Sequence, residues 1–208
     1  MQQAHQLIAL IQSKGAYASE VTIETGAGVH LEVRRGRLVE THEVNNQNAS
    51  VRVWMPERGM VEAQADSVDA LSVEVDDLIA RAAVAPVDPF AAPTHRLPTR
   101  HRELGIYDQR WEKLDAHSKI EIIIEGERAA RRSNRKFVTG PFSYTDNLTE
   151  RCFINSFGSE ASEKLTVYHI RGVLFYGDEL RVESSVSSRS FASVASIPIG
   201  AILVQCVL

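Results

Sequence analysis

Two cysteines in 208 residues, Cys152 and Cys206, cannot build a disulfide framework, and their surroundings, RCFIN and VQCVL, read as buried reduced thiols. Long apolar runs are also missing. None exceeds about five residues, whereas a bilayer-spanning helix needs about 20, so no membrane helix is expected. The opening residues, MQQAHQLIALIQSKG, have no basic leader, and His5, Gln6 and Gln12 interrupt their apolar stretch. That excludes a secretory signal and leaves the cytoplasm as the expected compartment. Glycine (12) and proline (7) are too few for a collagenous or low-complexity chain, and 44% hydrophobic residues with 24% charged excludes disorder.

Positive charge is in short supply as well. The net charge is −4; residues 1–90 hold 7 lysines and arginines against 13 carboxylates, and residues 91–208 hold 16 against 14. Neither half has the basic excess of a nucleic-acid module.

The usual catalytic signatures are absent too. Seven histidines (His5, His30, His42, His95, His101, His117, His169) include no pair in an HExxH or HExxxH helix, the spacing that sets two imidazoles on one face around zinc. His42-Glu43 begins such a motif in a strand-like context and reads as chance. His95 and His101, among Arg96, Arg100 and Arg102, read as a solvated basic loop. No GxSxG elbow occurs, neither cysteine has a CxxC partner, and Gly26-Ala27-Gly28 lacks the third glycine and following helix of a dinucleotide loop, so it reads as a hairpin turn.

What is present is hydrophobic periodicity. Ala4, Leu7, Ile8 and Ile11 predict a short amphipathic helix ended by Lys14 and Gly15. Period-two patterns follow at Val21 and Ile23, at Val29, Leu31 and Val33, at Leu38 and Val44, and at Val51, Val53 and Met55, with reversals at 26–28, at Gly36 in RRGR and at Glu57-Arg58-Gly59. Asp66 and Ser67 offer caps for a helix over about 67–84. Four prolines, Pro86, Pro89, Pro93 and Pro98, make 86–104 an irregular connector. Asp115 caps a predicted helix to about 133 whose face is Ile120, Ile123, Ile124 and Ala130. Strands are then predicted over 142–146, 151–155, 165–171, 173–176 and 180–186, with Gly158 and Gly177-Asp178 as turns. This is an α+β pattern of antiparallel or mixed β-meanders packed with about three helices. Its segments are 1–85 (helix, meander, helix), 86–104 (connector), 105–190 (helix and second meander) and 191–208, where Ser190 to Ile197 reads as a linker before the apolar tail Ala201-Ile202-Leu203-Val204.

Arg128, Arg131, Arg132, Arg135 and Lys136 place five cations in nine residues, four of them on one helical face. They form a candidate patch for an anionic partner. The alternative is a solvated helix end in which the cations complement the dipole and pair with Glu121, Glu125 and Glu127. Arg34, Arg35 and Arg37 similarly read as the solvated face of a hairpin.

In order along the chain, AYASEVTIETGAGVHLEVRRGRLVETHEV, SVRVWMPERGMVEAQADS, LSVEVDDLIARAAVAPVDPF, GIYDQRW, DAHSKIEIIIEGERAAR and FSYTDNLTERCFINSFGSEASEKLTVYHIRG resemble the N-terminal region of the TldD/PmbA family, metallopeptidase-related proteins also described as modulators of DNA gyrase. Two places depart from the family pattern: Ala49-Ser50 stands where glycine is common, and Gly158 is followed by the acidic GSEASEK rather than a basic, aromatic run. The resemblance implies one N-terminal-type domain whose HExxxH helix and third metal ligand would lie downstream. No residue here inherits a catalytic, cofactor-binding or metal role, and zinc is expected only in a full-length family partner. The implied role is a non-catalytic partner or peptide-holding domain in proteolysis or peptide maturation, pairing with itself or with a TldD/PmbA-type chain around an extended peptide. The alternatives are a gyrase- or nucleic-acid-associated modulator using the basic helix end, and a truncated relative with no activity of its own.

Overall fold

The computed structural model describes residues 1–88, 90–95, 105–133, 136–176 and 180–199. The first helix, α1 (Gln2–Ser13), buries Ala4, Leu7, Ile8 and Ile11, the four residues its periodicity singles out. Each fully buried Leu or Ile there contributes about 1.5–3 kcal/mol. Lys14 leaves the helical conformation, and Gly15 follows at φ 89°.

Strands β1 (Ala18–Arg34) and β2 (Arg37–Trp54) are longer than their sequence patterns suggest. The expected reversal at Gly26-Ala27-Gly28 does not occur; these residues lie inside β1. Gly28 serves close approach instead, since a Cβ there would sit 2.0 Å from the Asp146 carbonyl oxygen. The RRGR reversal does form, with Arg35 at φ 53° and Gly36 at φ 72°, as a two-residue hairpin with both central residues left-handed requires. β3 (Met60–Ala65) returns antiparallel on β2, Ala49 opposite Ala65 and Trp54 opposite Met60. Ser67 then caps a helix through the Ala70 N–H, but that helix breaks at Glu74 into α2 (Val68–Val73) and α3 (Val75–Val84).

Among the described residues, the proline-rich connector contains neither helix nor strand; Pro89 and residues 96–104, His101 included, lie outside them. A 3-10 turn at Trp111–Lys113 precedes α4 (Ala116–Ser133), capped by Asp115, whose Oδ1 accepts from the Ser118 N–H at 2.7 Å. The β-prone Ile122-Ile123-Ile124 is helical here, with Ile123 fully buried. The predicted pairs of strands fuse into β4 (Phe137–Asn155) and β5 (Glu160–Tyr176), joined through Gly158 at φ 79°. β6 (Leu180–Ser188) pairs antiparallel with β5; the Gly177-Asp178 turn is outside the described residues. Ser190 to Ile197 is not a plain linker. It contains α5 (Phe191–Ala195), which buries Val194. Cys152 is half-buried and free rather than buried; Cys206 and the 201–204 tail lie outside the described residues.

The two meanders form one six-stranded sheet in the order β3-β2-β1-β4-β5-β6, giving an α+β fold with five α-helices among the described residues. The chain clusters into two compact units, one drawn from 1–25, 46–103 and 150–163, the other from 26–45, 104–149 and 164–208. The first unit has an aliphatic core of Leu7, Ile11, Val51, Val53, Leu71, Leu78 and their neighbours. The second is built around Val33, Ile123, Phe142, Tyr144, Tyr168 and Leu174. No described helix is long and apolar enough to cross a membrane.

Candidate functional site

The second unit holds two polar constructions that its hydrophobic pattern does not reveal. The first centres on Glu127 of α4, 1% exposed. Its Oε1 accepts from the Arg35 N–H at 2.7 Å and the Thr139 hydroxyl at 2.7 Å, and its Oε2 accepts from the Gly36 N–H at 2.6 Å. A left-handed arginine costs about 1–2 kcal/mol. Charge-assisted hydrogen bonds to two successive backbone N–H groups offset that cost and pin the hairpin tip to the helix. Glu127 is therefore not one of the surface partners expected for the basic helix end. Of the other two, Glu125 pairs with Arg128, while Glu121 pairs with His117 at 3.0 Å.

Pinning the tip sets Gly36 against α4, and each side of that contact carries an arginine-lined cleft. Gly36, Ile124, Glu127, Arg128, Arg131 and Arg132 line a cleft of about 290 Å³. Arg34, Arg35 and Arg37 line another of about 760 Å³, together with Val39, Thr139, Gly140, Pro141 and Phe175. All six arginines are exposed. Arg34 is held by Glu32 and Arg128 by Glu125; Arg35, Arg37, Arg131 and Arg132 have no carboxylate partner among the described residues. Lys136 is exposed just beyond the helix, and Arg135 lies outside the described residues. Arg34, Arg35 and Arg37 are exposed on the hairpin, as the solvated-face reading expects; the hydrogen bonds of the tip to α4 have no local signal in the sequence.

The second construction is an interior ion pair. Lys119 Nζ lies 2.6 Å from Asp146 Oδ2, with Asp146 fully buried and Lys119 9% exposed. Asp146 also accepts from the Tyr144 hydroxyl at 2.8 Å and the Val29 N–H at 3.1 Å, so its charge is compensated from three elements. Burial, followed by the Asp146 charge, pushes the Tyr144 phenol far above its ordinary range and keeps it a donor. Lys119 also stands 5.7 Å from the centre of the Trp111 ring.

This pair forms part of the wall of a cleft of about 440 Å³, lined also by Leu31, Leu38, Trp111, Leu114 and Ile120. The Trp111 indole N–H is buried without a hydrogen-bond partner. Leu38, Thr41, Glu43 and Asn45 of β2 complete the lining. β3 pairs only with Ala49–Trp54, so on that side residues 37–45 of β2 have no strand partner among the described residues. Nearly all of them are exposed. The arrangement is an open β-edge running from the arginine-bearing tip past a largely apolar cleft.

His42 lies on the open β2 edge and His30 beside it on β1, and neither lines the cleft. His42 contacts Glu40 at 2.5 Å, its ring centre lies 6.3 Å from that of His30, and His95 lies against Phe157. Among the described residues no group of three His, Cys, Asp or Glu side chains is placed to hold a metal ion.

No protein-family model and no curated protein matches the sequence. Solved structures do. A proposed modulator of DNA gyrase from Bacteroides thetaiotaomicron superposes with a TM-score of 0.79 over 99% of this chain at 18% identity. TldE from Thermococcus kodakarensis gives 0.75 over 99% at 12%, and a proposed gyrase modulator from Thermotoga maritima 0.72 over 95% at 14%. The chain spans 48%, 46% and 45% of those proteins, about half the length of each. It has the fold that TldE and these gyrase-modulator proteins share over that half, the fold that its resemblance to the TldD/PmbA family leads one to expect.

Proposed function

We propose that this chain belongs to the TldD/PmbA family and acts as a non-catalytic, peptide-holding domain beside a metallopeptidase chain that supplies the zinc chemistry. The observation that carries the reading is the open β2 edge at residues 37–45, lying along a cleft of about 440 Å³. A peptide added there as a further strand gains main-chain hydrogen bonds without requiring particular side chains. Alternate side chains of such a strand can enter the cleft between Leu31, Leu38, Trp111 and Leu114.

Fluorescence anisotropy with an alternating threonine–valine octapeptide tests this. The parent peptide is expected to bind, and the same peptide with alternate backbone nitrogens methylated, unable to donate to the ladder, is expected to lose at least 10-fold in affinity. Equal affinity for both would overturn strand addition. The chain alone is expected to cleave no peptide with or without added zinc; zinc-dependent cleavage would overturn the non-catalytic reading. The six arginines lining the two clefts and the description of two structural neighbours as proposed gyrase modulators favour a DNA-linked role as the second reading, and the net charge of −4 weighs against it.

A further inference from the structure

We infer that the arginine-rich hairpin tip selects the acidic carboxyl end of an extended peptide and so fixes its direction, antiparallel to β2. The inference rests on the strand-addition reading and names the substrate class that reading leaves open.

β2 leaves the tip at Arg37 and runs along its open edge to Asn45, a length of roughly 30 Å at about 3.4 Å per residue. A peptide lying antiparallel on that edge finishes at the tip, where its terminal carboxylate meets guanidinium groups. A parallel peptide would bring its ammonium group to the same place and be repelled. The arginines line two clefts at the tip; Arg34 pairs with Glu32 and Arg128 with Glu125, while Glu127 is turned inward to the backbone of the turn. Arg35, Arg37, Arg131 and Arg132 keep their forked donors available, and such forks match carboxylates two bonds at a time. Because Glu127 already fixes the turn against α4, less ordering is needed when an anion arrives.

The surroundings favour an acidic peptide over nucleic acid. Ile124 in one cleft, and Val39, Pro141 and Phe175 in the other, interleave the cations with apolar side chains suited to a peptide's own. The chain as a whole carries −4, which opposes a long polyanion while leaving a compact basic site intact.

The test compares two amino-terminally labelled octapeptides on the full chain: a threonine–valine sequence ending in two aspartates with a free carboxylate, and its asparagine, carboxamide counterpart. The acidic peptide is expected to bind about 10-fold more tightly at low salt, with the gap closing in 0.5 M salt. Combined replacement Arg35→Gln, Arg131→Gln and Arg132→Gln is expected to erase the preference while the neutral peptide binds as before. A nitroxide on the peptide's amino end is expected to broaden amide signals near Asn45 and spare Gly36. Equal affinity for the two peptides, with binding still destroyed by backbone N-methylation, overturns the inference and leaves strand addition standing. Charge preference that survives N-methylation overturns strand addition and the assigned direction with it. Broadening at Gly36 reverses the direction, and displacement of the acidic peptide by an equal concentration of oligothymidylate overturns the assignment to peptides.

Discussion

The two compact units are held together by different means. In the unit containing α1, α2 and α3, the core is aliphatic, and the one charged group buried among the described residues is Glu20, which accepts from the Thr94 N–H at 2.6 Å. In the unit containing α4, the core mixes aromatic rings with three buried charges, Lys119, Glu127 and Asp146. An aliphatic core tolerates change of shape at a cost set by the volume lost. Buried charges tolerate almost none unless every partner stays in place. The second unit accepts that sensitivity, and its buried charges are what pin the hairpin tip to α4 and form part of the cleft wall.

The largest expected effect breaks the interior pair. Lys119→Met leaves the buried Asp146 carboxylate without its cation and is expected to cost about 3–5 kcal/mol in urea unfolding. Adding Asp146→Asn should restore about 1–2 kcal/mol, because the amide oxygen can still accept from the Val29 N–H while the amide nitrogen, in place of the other oxygen, donates to the Tyr144 hydroxyl, with no buried charge left. In the aliphatic unit, Leu71→Ala and Leu78→Ala are each expected to cost about 2–5 kcal/mol, and combining them should restore nothing. Recovery in the leucine pair, or its absence in the charged pair, would erase the distinction between the units.

Next in size is Glu127. Glu127→Ala strands two backbone N–H groups and the Thr139 hydroxyl, and is expected to cost about 2–4 kcal/mol; Glu127→Gln, which keeps one acceptor, about 1–2 kcal/mol. Amide exchange at Arg35 and Gly36 should rise in both variants before the aliphatic unit is affected. Unchanged protection at those two amides would mean the tip is held by something other than this carboxylate.

The contrast between the units also explains what was legible in the sequence. Apolar periodicity reports burial, so α1, the strands around Val51 and Val53, and the face of α4 could be read from residues alone. Gly36 could be read because glycine adopts a left-handed φ without steric cost, which a tight reversal uses. Gly28 looks the same in sequence yet acts by letting a neighbouring strand approach, which no local pattern encodes. Glu127 is similarly ambiguous: on a helix beside arginines it suggests a surface ion pair, and only the fold turns it toward a hairpin ninety residues earlier. The open β-edge was not legible, since an unpaired edge depends on where β3 stops.

The smallest effect concerns pH and lies at the start of α5. Asp108 accepts from the Arg110 guanidinium at 2.9 Å, and also from the Phe191 N–H at 3.0 Å, thereby tying the loop before α4 to the first turn of α5. The Arg110 side chain first, and the backbone N–H donors after it, hold the Asp108 carboxyl below the ordinary aspartate value, against a smaller opposing contribution from burial. A carboxyl lowered by folding contributes stability that is complete above its unfolded value of about 4 and disappears as pH falls through the folded value. The pairing guanidinium is half exposed, so solvent screening limits the contribution to less than about 1 kcal/mol. Asp108→Asn should therefore be slightly less stable than the parent at pH 7, and the gap should close as the two are compared at successively lower pH below about 4. A gap that widened on acidification would mean that Asp108 is not stabilised as a carboxylate in the folded chain.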